Sequence, residues 1–165
     1  MAARTLIAQP LSAAAFAPYG EVVSSRDRAG RSINAGTSLR VDMGEPDLLD
    51  AGGRPSLSVF RAQAIALPFA ARLLERHRLG SQTFLPLAGT PYVVLVALGA
   101  DAPDTATLRA FVAGAGVGIT LRRDVWHHPL MALADGEFAV LERAGVSVDC
   151  EIVDLPDAPW TIQAA

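Results

Sequence analysis

The sequence has no lysine, only one cysteine and no long apolar run, and each absence excludes a class of protein. All fourteen basic side chains are arginines, scattered along a chain of net charge −3, so no basic stripe predicts a nucleic-acid partner. Cys150 cannot form an internal disulfide, which favours a reducing compartment such as the cytoplasm. The longest apolar run, residues 92–98, is too short to cross a bilayer, and residues 1–9 lack a signal-peptide core. We therefore expect a cytoplasmic protein that does not enter the membrane.

The remaining composition is that of one folded domain. Apolar residues make up 51% of the chain, which excludes a disordered protein. A length of 165 residues suffices for a buried core, and no internal repeat or low-complexity linker marks a boundary. We predict a single domain over residues 1–165.

Glycine and proline interrupt the chain throughout and leave short apolar runs, a pattern typical of many strands. One short helix is predicted over residues 12–19, with Ser12 as its N-cap, and residues 42–55 are a predicted loop. So many short strands predict a mainly β sandwich or barrel. The predicted strands are residues 21–24, 31–41, 56–65, 71–78, 82–86, 92–98, 108–112, 118–121, 128–133, 138–142 and 150–155.

All three histidines lie in two short segments, so a shared site is the leading functional hypothesis. Residues 73–77 could also form a helix, but we favour a strand, in which side-chain alternation places Glu75 and His77 on the same face. A turn follows at residues 79–80, and Gln82 returns on the next strand. A carboxylate, an imidazole and an amide oxygen would then converge from two neighbouring strands.

The second histidine segment holds His127 and His128, of which only one can face the same interior. We choose His127 because its spacing from Gly116 and Asp124 matches a known pattern, and we expect His128 to be structural.

The first segment resembles the first metal-site motif of the cupins, in which His, His and Glu precede a Gly. Here Glu75 takes the first His position, His77 the second, Gln82 the Glu position and Gly89 the closing Gly. Three donors of usable strength, Glu75, His77 and His127, could still hold a divalent ion, with Gln82 as a weak fourth.

The second segment resembles the second cupin motif, which places one more His after a Pro-x-Gly turn. Gly116 matches this motif, Arg122 replaces the Pro, Asp124 replaces the Gly, and His127 holds the His position. Together the two motifs imply a mainly β, cupin-like double-stranded β-helix, which is a jelly-roll barrel, with a short N-terminal helix.

A closer resemblance rests on five segments: FAPYGEV (16–22), INAG (33–36), LERHRLGSQ (74–82), TLRAF (107–111) and VWHHPL (125–130). They are similar to the ureidoglycolate lyase family of allantoin degradation, in which a homodimeric cupin-like barrel splits ureidoglycolate into glyoxylate and urea. The resemblance implies a small-molecule substrate, a homodimer and one divalent metal ion, nickel being the ion associated with the family, and no organic cofactor. The departures from the family lie in loops, chiefly residues 41–55 and the tail after residue 155.

That reaction requires a base, an acid and a cation that binds the carboxylate of the substrate. His77 and His127 can serve as the proton-transfer pair or as metal ligands. An arginine fork matches a carboxylate, and Arg61 is the first candidate because an arginine inside an apolar strand is costly unless it is paired. Arg109 is the second candidate.

Amide and aromatic side chains complete the predicted substrate site. Asn34 can offer its amide to the urea moiety, as can Gln82 if it is not a metal ligand. Trp126 is predicted to bind substrate as a pocket wall, with the core as its alternative place. Cys150 is expected to be a small core residue and not a nucleophile.

Other interpretations stay open at this point. Glu75 could pair with Arg76 or Arg122 at the surface, and Arg61 could belong to a buried ion pair. The chain could also be a metal-dependent cupin of another reaction class or a non-catalytic small-molecule-binding cupin. Glu75 and Gln82 stand where such metal enzymes usually keep His and Glu, which argues against iron–oxygen chemistry.

The run over residues 92–98 also predicts the oligomeric state. Its side chains do not alternate in polarity, so both faces of this strand should be buried. We expect one face to fill the barrel and the other to meet a partner subunit in a homodimer.

Overall fold

The protein folds as a mainly β structure in which a short helix, α1 (Ala13–Phe16), follows the first strand. The structure, a computed structural model, describes residues 4–165, so residues 1–3 of the predicted domain lie outside it. The strands are β1 (Arg4–Pro10), β2 (Gly20–Val23), β3 (Arg31–Ile33), β4 (Ser38–Arg40), β5 (Arg54–Ala62), β6 (Phe69–Ala71), β7 (Leu73–Arg76), β8 (Gln82–Pro86), β9 (Tyr92–Ala97), β10 (Arg109–Ala113), β11 (Gly118–Leu121), β12 (Trp126–His127), β13 (Met131–Ala132), β14 (Gly136–Ala144), β15 (Glu151–Asp154) and β16 (Trp160–Ala164).

These strands form two main sheets and one hairpin. The nine-stranded sheet has the order β15-β7-β12-β9-β10-β1-β16-β6, with β13 paired to β9. The five-stranded sheet has the order β2-β11-β8-β14-β5, and β3 pairs with β4. The large sheet curls strongly, so the chain has the cupin-like β-barrel architecture that the two motifs predicted.

Two hydrophobic clusters pack on opposite faces of the central strand β9. Its even-numbered residues join a cluster that links the two sheets, and its odd-numbered residues join a cluster with β1, β6 and β16. Both faces are buried, as predicted, because side chains alternate across a strand that has sheet structure on either side. The second face packs within the same chain, so the predicted contact of this face with a partner subunit is wrong.

Most predicted strands are present, with two informative differences. The predicted strand 31–41 is the hairpin of β3 and β4, because Asn34 and Ala35 turn the chain with φ values of 51° and 55°. Strands β1 and β16 were not predicted; they pair with each other in parallel, and each buries one residue, Ala8 and Ile162. One buried side chain per strand gives no alternating pattern that a sequence could show.

The helix confirms its predicted cap but is shorter than predicted. The Ser12 hydroxyl accepts a hydrogen bond from the backbone N–H of Ala15 at 3.2 Å, and the α-helix ends at Phe16. Within residues 4–165, none of the helical segments has both the length and the apolar character that spanning a membrane requires.

Candidate functional site

Glu75, His77 and His127 meet at one point where β7 lies beside β12. The two strands are antiparallel, and the register sets His127 opposite Glu75, so both side chains lie on the same face. The His127 Nε2 atom is 3.4 Å from Glu75 Oε1. His77 directly follows β7, and its ring centroid is 5.3 Å from that of His127. One donor atom from each residue lies within 4.8 Å of the others, which gives a group able to hold a metal ion.

The hydrogen bonds of the two imidazoles fix the tautomer of each ring. The Nδ1 atom of His77 contacts the backbone carbonyl of Asp149, and Nδ1 of His127 lies 2.9 Å from the carbonyl of Val125. Because a carbonyl only accepts, each Nδ1 carries a hydrogen, so the neutral form of each ring has its lone pair on Nε2. Both Nε2 atoms are buried and have no hydrogen-bond partner among residues 4–165. Two basic nitrogens and a carboxylate therefore face one another.

The Glu75 carboxyl stays ionised in this setting. Burial by itself would raise its pKa, but the contact with His127 and the charges of His127 and His77 outweigh burial and hold the pKa below its usual value. Cys150 Sγ lies 3.7 Å from Glu75 Oε2. Cys150 is exposed, so its predicted place in the core is wrong. Partial burial of the thiol and the nearby Glu75 charge raise the pKa of Cys150. The thiol is therefore protonated, as expected of a residue that is not a nucleophile.

Asp149 holds His77 in place, a role that was not predicted from the sequence. Its carboxylate accepts hydrogen bonds from the backbone N–H groups of Arg78 and Leu79, both at 2.8 Å, while its own carbonyl contacts the His77 ring. The two residues are separated by 72 positions, so no local sequence pattern signals this contact.

Two openings give access to the residues of this cluster. One has a volume of about 320 Å³ and is lined by His77, Glu142, Arg143 and the loop that continues to Cys150. The other, of about 410 Å³, is lined by Glu75 and, on the five-stranded sheet, by Gln82. The site therefore lies between the two sheets, as ligand sites in β-barrel mouths commonly do.

Gln82 faces the cluster from the other sheet. It lies on β8 in register with Glu142 on β14, and its Nε2 donates a hydrogen bond to Glu142 Oε2 at 2.8 Å. The side chain is 4% exposed, and its Oε1 atom is buried without a hydrogen-bond partner in the described part of the chain.

Arg61 lies at the rim. Its strand β5 is the edge of the five-stranded sheet, and the register pairs Arg61 with Glu137 on the face opposite the buried Phe138. The guanidinium side chain is 88% exposed and 3.4 Å from the Glu137 carboxylate. Arg61 is therefore not buried, so the reason for which it was predicted to bind the substrate carboxylate is wrong. Arg61 does border the opening that Glu75 lines.

The other predicted substrate residues are not gathered at the cluster. Asn34 lies in the β3–β4 hairpin, where its amide contacts Ser38 at 3.4 Å. Arg109 is two strands away from His127, with Val96 between them in register, and its guanidinium donates to nearby backbone carbonyls. Two strand spacings amount to about 10 Å.

Trp126 is a core residue and does not form a pocket wall. It is fully buried, and its indole N–H donates to the carbonyl of Gly99 at 3.0 Å. The Arg76 guanidinium stacks 4.1 Å above the ring and pairs with Glu151 at 2.9 Å. These contacts hold β7 against β12 on the face opposite Glu75. They therefore support the two strands that carry the cluster.

Three residues at the motif turns lie in the left-handed region of the backbone. Gly116 has φ of 74° and Gly89 has φ of 73°, and Asp124, which replaces the motif glycine, has φ of 65°. Aspartate tolerates this left-handed region better than most residues, so the turn before His127 is retained. His128 points elsewhere, as predicted: its ring packs edge-on against Phe69, with centroids 5.3 Å apart.

Comparisons with known proteins agree along nearly the whole chain. A family model described as ureidoglycolate lyase matches residues 3–163. A protein named ureidoglycolate lyase from Burkholderia mallei (strain NCTC 10229) is 42% identical over 159 residues, which cover 95% of this chain and 93% of the relative. Relatives of the same name from Azotobacter vinelandii and Pseudomonas entomophila are 41% and 37% identical, over 90% and 96% of this chain and equal shares of their own.

Proposed function

Because this chain belongs to the ureidoglycolate lyase family, we propose that Glu75, His77 and His127 form the centre at which it converts ureidoglycolate into glyoxylate and urea. The observation that supports this placement is the convergence of two unpartnered Nε2 atoms and one carboxylate between the sheets. The predicted alternatives, a non-catalytic binding cupin and a metal enzyme of another class, are not favoured by the family match.

The reaction moves one proton and breaks one bond. Ureidoglycolate carries a hydroxyl group and a ureido nitrogen on the same carbon, next to a carboxylate. The hydroxyl loses its proton, its oxygen forms the carbonyl of glyoxylate, and the carbon–nitrogen bond breaks. The departing nitrogen then takes up a proton and leaves as urea, so no net proton is consumed.

The histidines are suited to this proton movement. The lone pair on His127 Nε2 can take the hydroxyl proton, and the Glu75 carboxylate 3.4 Å away stabilises the imidazolium that results. His77 presents its own Nε2 lone pair to the same space and is held there by Asp149. The proton returns to the departing nitrogen from the same pair of rings.

The same three side chains also fit a divalent metal ion. Two imidazole nitrogens and one carboxylate oxygen suit transition metals such as zinc and nickel, and a bound ion would satisfy both orphaned Nε2 atoms. One donor atom of each of the three side chains lies within 4.8 Å of the others, so all three could bind one ion. Such an ion, nickel by family resemblance, would lower the pKa of the substrate hydroxyl.

Arg143 is our choice for the residue that binds the substrate carboxylate. It lines the same opening as His77, and its Nη1 atom is buried without a hydrogen-bond partner among the residues that the structure describes. The rest of the guanidinium is fixed, because Nε and Nη2 donate to the carbonyls of Asp50 and Ala51 at 2.8 and 3.1 Å. A Cβ atom at Gly145 would lie 2.6 Å from Nη1, so the glycine leaves the space that the guanidinium needs.

Incubation of the purified protein with ureidoglycolate should release one glyoxylate and one urea per substrate consumed. The assay is then repeated after treatment with a chelator and after addition of Ni²⁺. Release that survives chelation would assign proton transfer to the histidines alone. Release that is lost and then restored by Ni²⁺ would assign Glu75, His77 and His127 to the ion. No release under any of these conditions would contradict the proposed function.

We propose that the protein is a homodimer and that the outer face of the five-stranded sheet is its interface. This outer face carries Leu57, Val59 and Leu85, which are 72%, 55% and 37% exposed. The register places Val59 and Leu85 on either side of Ala139, so these apolar side chains are contiguous.

We also place the enzyme in the cytoplasm, because its one cysteine is unpaired.

Light scattering should give about twice the 17.3 kDa mass of one chain. Val59→Asp should shift the mass to that of one chain, because a buried unpaired carboxylate opposes association. Leu49→Asp is the matched control, since Leu49 is 70% exposed and lies outside this sheet. A monomeric wild type, or equal dissociation by both variants, would contradict this interface.

A further inference from the structure

We propose that Glu142 orients the amide of Gln82 so that its carbonyl oxygen binds the terminal NH2 of the ureido group. This inference rests on the proposed function, because it assigns a role in substrate recognition at the same site. Glu142 acts through Gln82 and is a positioning residue, whereas Gln82 contacts the substrate. Neither the cupin motifs nor the lyase resemblance pointed to Glu142.

The register of the five-stranded sheet puts the two side chains together. Glu142 lies opposite Gln82 in the antiparallel pair of β14 and β8, so both project from the same face. That face is the inner one, because Phe138 and Val140, which alternate with the outward residues of β14, are fully buried. The pair therefore stands on the sheet that faces the histidine cluster.

Each member of the pair borders an opening that also contains a member of the cluster. Gln82 and Glu75 line one opening, and Glu142 and His77 line the other. A substrate held at the cluster thus has Gln82 and Glu142 as its neighbours on the opposite sheet.

The chemistry of the pair determines which way the amide points. An ionised carboxylate only accepts hydrogen bonds, so the end of the Gln82 side chain that touches Glu142 must be the NH2 group. The hydrogen bond from Nε2 to Glu142 Oε2 is 2.8 Å long. The carbonyl oxygen, Oε1, is therefore directed away from Glu142 and is held there by a charge-assisted bond.

That oxygen is an acceptor without a donor. Gln82 is 4% exposed, and its Oε1 is buried with no partner among residues 4–165. A buried acceptor that stays unpaired is costly, so we expect a donor from a bound molecule to complete this atom at the cavity wall. The required ligand group is an N–H donor.

The ureido group of the substrate supplies that donor. Its terminal NH2 lies at the end of the molecule opposite the carboxylate, so the NH2 can meet Gln82 while the carboxylate binds elsewhere. A site built around a hydrogen bond strongly rejects analogues that lack the matching group. Gln82 and Glu142 would thus select a ureido compound over an acyl compound of the same shape.

Two unreactive ligands isolate this contact. N-Carbamoylglycine keeps the ureido group and the carboxylate of the substrate but lacks the hydroxyl, and N-acetylglycine differs from it only by a methyl group in place of the terminal NH2. We expect the wild-type protein to bind N-carbamoylglycine about tenfold more tightly by calorimetry, since one buried acceptor is left unpaired by the other ligand.

Glu142→Gln should reduce this preference to about threefold or less, because a glutamine at this position can donate and so no longer fixes the Gln82 amide. The KM for ureidoglycolate should rise by a similar factor while kcat changes less, a split that a general loss of folding would not produce. Gln82→Leu, which removes the acceptor, should abolish the preference as well. Glu137→Gln is the matched control, because Glu137 is on the same strand but faces outward.

The outcomes separate this inference from the proposed function. The inference would be overturned if the wild type bound N-carbamoylglycine no more tightly than N-acetylglycine. It would also be overturned if the Glu142→Gln variant kept the tighter binding of N-carbamoylglycine, even with normal release of glyoxylate. Loss of Ni²⁺ binding in Gln82→Leu would also overturn it, because Gln82 would then be a metal ligand. If no glyoxylate is released but the preference exists and disappears in Glu142→Gln, the ureido-recognition site stands and the lyase assignment fails.

Discussion

His77→Ala and His127→Ala are each expected to lower kcat/KM for ureidoglycolate by about a hundredfold to ten-thousandfold, the usual contribution of a proton-transfer group. Both imidazoles present an unpartnered Nε2 atom to the same space, so each loss removes either a proton carrier or a ligand. The loss should appear in glyoxylate release with little change in the melting temperature.

His128→Asn is the control for these two variants. His128 is adjacent in sequence to His127, but its ring packs against Phe69 and its Nδ1 contacts the Pro129 carbonyl at 2.8 Å. We expect the kcat/KM of the His128→Asn variant to stay within about threefold of the wild-type value, because His128 lies outside the reacting centre. A large loss in His128→Asn with near-normal rates in the other two variants would contradict our choice of histidines.

Arg143→Ala should lower kcat/KM by about tenfold to a hundredfold, the range expected when a hydrogen bond to a charged group is lost. The effect should lie mainly in KM, because the arginine binds a carboxylate that is present in both substrate and transition state. Arg143→Lys should recover only part of the loss, since a lysine cannot retain the bonds to the Asp50 and Ala51 carbonyls and also offer a fixed donor.

Arg61→Ala tests the carboxylate role predicted from the sequence. Its guanidinium is exposed and pairs only loosely with Glu137, so we expect a change of less than about threefold. If Arg61→Ala is severe and Arg143→Ala is mild, the substrate carboxylate binds at the rim beside Glu75, and our assignment of Arg143 is wrong.

The sequence could predict the parts of this site that depend on local spacing. Two-residue alternation placed Glu75 and His77 on one face, and the adjacency of His127 and His128 left room for only one of them at the centre. The N-cap at Ser12 and the buried strand β9 were likewise accessible, because each leaves a local pattern. A substituted motif glycine at Asp124 was tolerated because aspartate adopts the left-handed region.

The parts that could not be predicted depend on contacts between distant strands. Asp149 meets His77 across 72 positions, and Glu142 meets Gln82 across 60. Arg61 was misjudged because an apolar run in sequence does not reveal that β5 is an edge strand with an exposed outer face. Trp126, next to His127, was placed in the pocket although alternation sends it to the opposite face, where Arg76 covers it.

The most direct test of a shared centre is the rate of the His77→Ala/His127→Ala double variant. Groups that act on one substrate molecule as a unit lose far less in combination than the product of their separate losses. We predict that glyoxylate release by the double variant falls no more than about tenfold below that of the slower single variant. A double variant whose loss equals the product of the two single losses would show that the histidines act independently and would contradict the shared centre.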